Sequence, residues 1–439
     1  MSDLDRPQGS IARLKQRALR PGLTRESLIT YGFTGVALVA NLGTGILIAR
    51  LLGPAGRGEV TAITNAATWI SLFFLLGCRE AIAYHQAHNP EQGGKLFSTW
   101  LVLLIPTAGL GILVAELLIP LLFSAQTDEA TRLAMLYMVA GIPLALLGER
   151  LQGFLLGDHD FVFWNVARVA IPLLTMAGYA GLSIVGDLTV TSALLSLLIA
   201  TALVWAVSGV RVIGRHGMTR PSWPIGRTTA WYGLRGSAGD ALALLNSRLD
   251  LLILPAFVGA ASVGYYSVST NVSWIIFMLA SPLVSLVLPV AARRKEQGPA
   301  TVIKALHVTL AGGVFFAVVV GALADIAVPA VYGSSFGPAV EPLRILLPGT
   351  VLYGGAMVLV SGLYAVDRPF TASASQLAGL IFTAVGLALF LESGGIQAAA
   401  IVSTTAYTVV FGISVVLYQR ATGISWLDYL PRRRRRAAD

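Results

Sequence analysis

The hydrophobic residues of this 439-residue chain gather into twelve stretches between residues 27 and 418, each about as long as a lipid bilayer is thick. A helix needs about 20 apolar residues to cross the hydrocarbon core, where no water is present and every backbone amide must be satisfied within the helix. The spans read as 27–50, 60–85, 96–123, 133–156, 161–185, 188–213, 230–257, 263–291, 305–324, 342–366, 371–391 and 396–418. An all-α integral membrane fold is therefore expected. With 55% hydrophobic residues, 12% charged residues and a mean hydropathy of +0.74, a soluble domain could not hide this much apolar surface.

Orientation follows from the basic residues, because cytoplasmic segments retain Lys and Arg during insertion. With both termini inside, 22 of the 31 Lys and Arg fall in cytoplasmic segments, while only Arg50, Arg57, Arg132 and Arg344 fall outside. The other five, Arg79, Arg150, Arg168, Arg235 and Arg248, lie within spans. A multi-pass protein of the cytoplasmic membrane with both termini cytoplasmic is expected. Topology also accounts for the net charge of +9, so no nucleic-acid partner is expected. The arginine run 432–436 follows Trp426, Tyr429 and Leu430 and reads as a topogenic anchor beside anionic headgroups. The first 26 residues are basic and show no small-residue cleavage site, so the first span is expected to be retained. A single cysteine, Cys78, excludes an intramolecular disulfide.

The chain repeats itself. At an offset of 206 residues Gly53, Ala55, Gly58, Thr64, Asn65 and Ile70 coincide with Gly259, Ala261, Gly264, Thr270, Asn271 and Ile276. At 209, Gly153, Asp158 and Phe161 coincide with Gly362, Asp367 and Phe370. The expected organisation is a basic segment 1–26, an N-lobe 27–213, a linker 214–228, a C-lobe 229–418 and a polybasic tail 419–439. Six spans per half is an even number, so the halves enter the membrane in the same sense, and a central cavity is expected between them.

Energy-coupling and catalytic motifs are missing. Gly93-Gly94-Lys95 precedes Leu96 and lacks the first glycine of a phosphate-binding loop; neither H-E-x-x-H nor G-x-S-x-G occurs. Asp158-His159-Asp160 matches the acid-x-acid pattern of metal-dependent sugar transfer, but its place in a short turn favours helix capping. An enzyme is not expected. No cofactor or metal is expected either, and any energy coupling would come from a cation or proton gradient.

Charge inside a membrane is costly, about 2.5 to 3.5 kcal/mol at a helix centre, so it faces a partner or a cavity. The seventh span concentrates it in Arg235, Asp240, Asn246, Arg248 and Asp250. At about 100° per residue Arg235, Asn246 and Asp250 share a strip, Arg248 points to the opposite side and Asp240 lies between. These five, with Asn41, Asn65 and Asn271, are the candidate substrate-binding residues, against the equal alternative of structural pairing between helices. Arg79, Glu80, Glu149 and Arg150, near the cytoplasmic ends of spans two and four, are candidates for a cytoplasmic gate, although snorkelling to the interface accounts for them as well.

Three stretches carry a family likeness: Ile48-Ala-Arg-Leu-Leu-Gly-Pro-Ala-Gly-Arg-Gly58, Asn246-Ser-Arg-Leu-Asp250 with Gly264-Tyr-Tyr266, and Tyr332-Gly-Ser-Ser-Phe336 with Leu343-Arg-Ile-Leu-Leu-Pro348. With the span count, they make the chain resemble the polysaccharide flippases of the multidrug, oligosaccharidyl-lipid and polysaccharide exporter superfamily. The resemblance implies two six-helix lobes around a cationic cavity that moves a lipid-linked oligosaccharide, a polyprenyl pyrophosphate glycan, to the outer leaflet. Membrane lipids and polysaccharide polymerase or assembly proteins are its implied partners. It puts Arg248 and Asn246 first as substrate contacts, with Asp250 and Asp240 as charge partners. A peptidoglycan-precursor flippase is the nearest alternative. A proton-driven multidrug or cation exporter of the sister branch would resemble its relatives by an acid in span one, and residues 27–50 hold no Asp or Glu.

Overall fold

A computed structural model describes residues 21–75, 77–293 and 298–424; the polybasic tail beyond 424 and most of the basic amino-terminal segment lie outside the described residues. Eleven α-helices form the described chain: α1 (Pro21–Phe74), α2 (Cys78–His88), α3 (Gly93–Leu122), α4 (Asp128–Gly157), α5 (Phe161–Val185), α6 (Val190–His216), α7 (Trp223–Ile253), α8 (Ala260–Arg293), α9 (Gly298–Tyr332), α10 (Val340–Ala365) and α11 (Pro369–Thr422). Two of them are two-armed. α1 breaks at Gly53 (φ 68°) and α11 at Gly395 (φ 54°). A Cβ at either glycine would meet nothing within 4 Å, so left-handed backbone, not lack of space, demands the residue. Pro54, which has no N–H to orphan, opens the second arm of α1.

All twelve expected spans are helical, and one is divided. Span 60–85 was expected as one helix, but α1 ends at Phe74 and α2 starts at Cys78 after Gly77 in the left-handed region (φ 60°). Among the described residues eight helices, α1, α3 to α6 and α9 to α11, are long and apolar enough to cross a membrane. α1 and α11, at 54 residues each, provide two crossings apiece. The spans expected at 230–257 and 263–291 fall on α7 and α8, helices of 31 and 34 residues that are not among the eight. The outside of the bundle is apolar, with Ile105, Leu117, Ile184, Val210 and Ile326 all more than two-thirds exposed, as a lipid-facing surface requires. The protein is a multi-pass, all-α membrane protein.

The halves are fused at one face and separate at the other. On the face away from the α6–α7 linker, one core cluster joins Ile63, Ala115, Met138 and Ile142 of the first half to Leu251, Tyr266, Leu387 and Ala399 of the second. At the linker face each half has its own cluster, around Phe97, Trp100, Phe154 and Trp205 in the first and around Val302, Leu306, Leu359 and Tyr418 in the second. α7 bridges the halves. Its amino-terminal turns pack on α2 and α3, with the Tyr84 and Tyr232 rings stacked at 4.5 Å, whereas its last turns pack on α11.

Candidate central cavity

A cavity of about 290 Å³ lies between the halves, walled by α1, α5 and α6 on one side and by α7 and α8 on the other. Its polar lining includes Asn41, Arg57 and Asn65 from α1, Arg248 from α7 and Asn271 from α8. Asn65 and Asn271, paired by the internal repeat, thus contribute to one cavity from opposite halves. The Arg248 guanidinium donates to Asn271 Oδ1 at 3.3 Å and lies 5.1 Å from the centre of the Trp274 ring. Asn41 Nδ2 donates to the Ala37 carbonyl at 2.8 Å.

Arg57, one of the four basic residues expected on the outer side, is only 5% exposed. It reaches across the seam from α1 to α8, where Nε donates to Ser267 Oγ at 3.1 Å, while Nη1 donates to the Gly45 carbonyl and the guanidinium lies 5.4 Å from the Tyr332 ring centre. Neither Arg57 nor Arg248 has a carboxylate within ion-pair distance among the described residues. Among the described residues the lining therefore holds two cations and three amides and no acid. Such a lining complements an anionic, hydroxyl-bearing group.

The remaining seventh-span candidates lie elsewhere. Asn246 is 3% exposed; its Nδ2 donates to Gln376 Oε1 at 3.2 Å, and Thr383 donates to its Oδ1 at 3.5 Å. Asp250, also 3% exposed, accepts from Tyr266 Oη, from Ser403 Oγ at 2.9 Å and from the Leu251 N–H at 2.8 Å. These two residues knit α7 to α8 and α11 inside the second half, and Asp250 makes no ion pair with Arg248. Arg235 is exposed and is not among the residues lining the cavity; its guanidinium lies 4.5 Å from the Trp231 ring centre. The Asp240 side chain lies outside the described residues.

Among the gate candidates, Arg79 pairs with Glu80 at 2.7 Å and with Glu149 at 3.3 Å. Arg150 does not snorkel. At 2% exposure it is enclosed by the first half, donating to the Leu146 carbonyl and to Thr107 Oγ1 at 2.8 and 2.9 Å beside the Trp100 ring. Asp158-His159-Asp160 is a clamp: His216 and Gln86 each bind Asp158 at 2.8 Å, while Arg211 and Arg215 hold Asp160 at 2.7 and 2.8 Å. Burial opposes ionisation of Asp160, but the Arg211 hydrogen bond and the charges of Arg215 and Arg211 outweigh it and hold the carboxyl below the usual carboxylate range. Among the described residues no group of three or more His, Cys, Asp or Glu is placed to hold a metal ion.

Comparison with known proteins agrees with this architecture. The model of a family described as polysaccharide biosynthesis protein matches residues 47–341. No curated protein matches the chain in sequence. Among solved structures, the lipid II flippase MurJ in an inward closed conformation is similar, with a TM-score of 0.72 and 15% identity over 92% of this chain and 89% of MurJ. An inward-facing multidrug resistance MATE family transporter of the MOP superfamily gives 0.69, with 16% identity over 89% of this chain and 96% of that one. An outward-facing MATE transporter gives 0.60, with 16% identity over 91% and 95%. These likenesses establish a shared fold, and the family match, which spans more than half of the residues, establishes that the chain belongs to the polysaccharide biosynthesis protein family.

Proposed function

We propose that the protein is a secondary transporter that flips a polyprenyl-linked oligosaccharide repeat unit from the inner to the outer leaflet for surface polysaccharide biosynthesis, by alternating access between its two halves. One observation carries the reading: a cavity between the halves offers Arg57, Arg248, Asn41, Asn65 and Asn271 and, among the described residues, no carboxylate. A pyrophosphate needs cations, sugar hydroxyls need amides, and a polyprenyl tail can remain among apolar helix faces. At about 290 Å³ the cavity suits a fragment of headgroup size. Passage of a whole repeat unit requires the halves to part. The fused core on one face and the separate cores on the other supply a route for that motion, in which one face opens as the other closes.

The likeness to MurJ supports a second substrate, a peptidoglycan precursor, which would present the same pyrophosphate. Export of a cationic drug fits poorly, since the described lining has positive charge and no acid to receive a cation. We assign the membrane as the cytoplasmic one and the linker face as cytoplasmic, in accord with the distribution of Lys and Arg. The test is deletion of the gene in its host with leaflet-resolved assay of lipid-linked oligosaccharide. Surface glycan should be lost and repeat units trapped on the cytoplasmic side; unchanged glycan with new sensitivity to toxic cations would contradict the proposal.

A further inference from the structure

A second concavity shares no lining residue with the central cavity. α3 and α7 leave a groove of about 850 Å³ walled by Leu103 of α3 and by Trp223, Arg227, Trp231 and Leu234 of α7. At about 100° per residue, Trp223, Arg227, Trp231, Leu234 and Arg235 occupy one face of α7 about 120° wide. At 1.5 Å per residue the stretch from Trp223 to Arg235 is about 18 Å long. One leaflet of a hydrocarbon core about 30 Å thick is of similar depth. The groove thus has the length of one acyl chain and begins at the linker face.

Its chemistry is that of a lipid with a negative head. Arg227 and Arg235 are both exposed, and neither forms an ion pair among the described residues. Arg235 is stacked on Trp231, which directs its charge back along the helix toward the linker face. Trp223, 69% exposed, places an amphipathic indole at the linker-face end of the groove, and Trp231, 56% exposed, stands about 12 Å further along it. The other side of α7 is fastened, so the wall is fixed. The Ser222 N–H donates to Thr99 Oγ1 at 2.8 Å and the Thr219 N–H to Ser98 Oγ at 3.0 Å, and a Cβ on Gly226 would stand 2.8 Å from the Thr99 methyl.

We infer that this groove is a binding site for an anionic phospholipid of the linker-face leaflet, with an acyl chain along Leu103, Trp231 and Leu234 and the head phosphate at Arg227, where Arg235 adds a second positive charge. A neutral lipid would leave both arginines unmatched beside hydrocarbon, and an apolar helix would leave them likewise. The site is independent of the substrate assigned to the central cavity. It occupies the segment of α7 that joins the second half of the chain to the first, so its occupant would brace that joint.

The test uses the full-length protein purified in detergent, incubated with phosphatidylglycerol or phosphatidylcholine and read by native mass spectrometry. The wild type should retain phosphatidylglycerol over phosphatidylcholine. The double variant Arg227→Gln/Arg235→Gln should lose about 30-fold of that preference, the value of two surface cations toward an anionic lipid, while Arg132→Gln leaves it unchanged. An unaltered thermal unfolding midpoint shows that the double variant is folded. Equal retention of the two lipids by the wild type, or an undiminished preference in the double variant, would overturn the site and leave only annular lipid.

Discussion

Gly58 and Gly264 meet backbone to backbone across the seam between the two halves: a Cβ on Gly58 would stand 2.8 Å from the Gly264 nitrogen, and a Cβ on Gly264 3.2 Å from the Gly58 nitrogen. The internal repeat makes these two residues equivalents, so the same position of each half forms its own partner. Around them Arg50 Nε donates to the Val331 carbonyl at 2.8 Å, Ser124 to the Ala256 carbonyl at 2.9 Å, and Gln126 to the Pro255 and Val258 carbonyls at 2.8 and 2.7 Å. Each bond joins the first half to the second on the face away from the linker. Under the proposed alternating access, this seam is the closure that must break.

Gly264→Ala is therefore expected to pry the seam open. Its Cβ would come 2.9 Å from the Pro54 carbonyl carbon, and backbone on both sides cannot yield as a flexible side chain does. Thiol labelling at Ser267→Cys, in a background lacking the buried Cys78, should rise severalfold. Gly259→Ala has open space around it and should label like the parent. Equal labelling of the two alanine variants would contradict the closure.

The central cavity distinguishes charge from shape. Arg248→Gln and Arg57→Gln should each reduce transport of a pyrophosphate-linked glycan by about tenfold or more, because a charge-assisted hydrogen bond is worth about 1.5 to 3 kcal/mol. Arg248→Lys should recover part of the loss, since the charge returns without the fork geometry. Initial rates in reconstituted vesicles measure both effects.

Asp250 and Asn246 are predicted to act through stability. Tyr266→Phe removes one donor to the buried Asp250 carboxylate and should cost about 1 to 3 kcal/mol. Asp250→Asn should cost a similar amount, and the two together less than their sum, because they share one hydrogen bond. Thermal unfolding in detergent gives the midpoints. Unchanged midpoints with loss of substrate binding would instead make Asp250 a substrate contact.

The Asp160 clamp should show in the pH dependence of stability. A carboxyl depressed in the folded state stabilises fully above its unfolded pKa of about 3.9 and loses that contribution as pH falls through the lower folded value. Asp160→Asn should therefore unfold at a lower temperature than the wild type at pH 7, and the gap should close progressively below about pH 4. A constant gap across that range would contradict the assignment.

The spans and the site differed in how far they could be read from sequence. A bilayer imposes one length on every apolar helix, so the twelve expected stretches all proved helical, and Gly77 hid the division of the second. The helical wheel separated Arg248 from Asn246 and Asp250 correctly, but a wheel carries no information on which strip faces a neighbouring half. The structure turns Arg248 toward the cavity and the other two toward α11. Arg57 was missed because hydropathy places it in a loop. Its signal was its position inside the repeated window 53–65, the segment that forms the seam. Arg150 read as a helix-end residue because the enclosing groups, Trp100 and Thr107, come from another helix.

The most direct measurement of the central claim is flipping itself. Purified protein in vesicles should carry a fluorescent polyprenyl pyrophosphate oligosaccharide from one leaflet to the other, read as loss of protection from an external quencher. Wild type is expected to flip it, and Arg57→Gln/Arg248→Gln, folded by its unfolding midpoint, is expected not to. Flipping by the double variant at the wild-type rate would contradict the account.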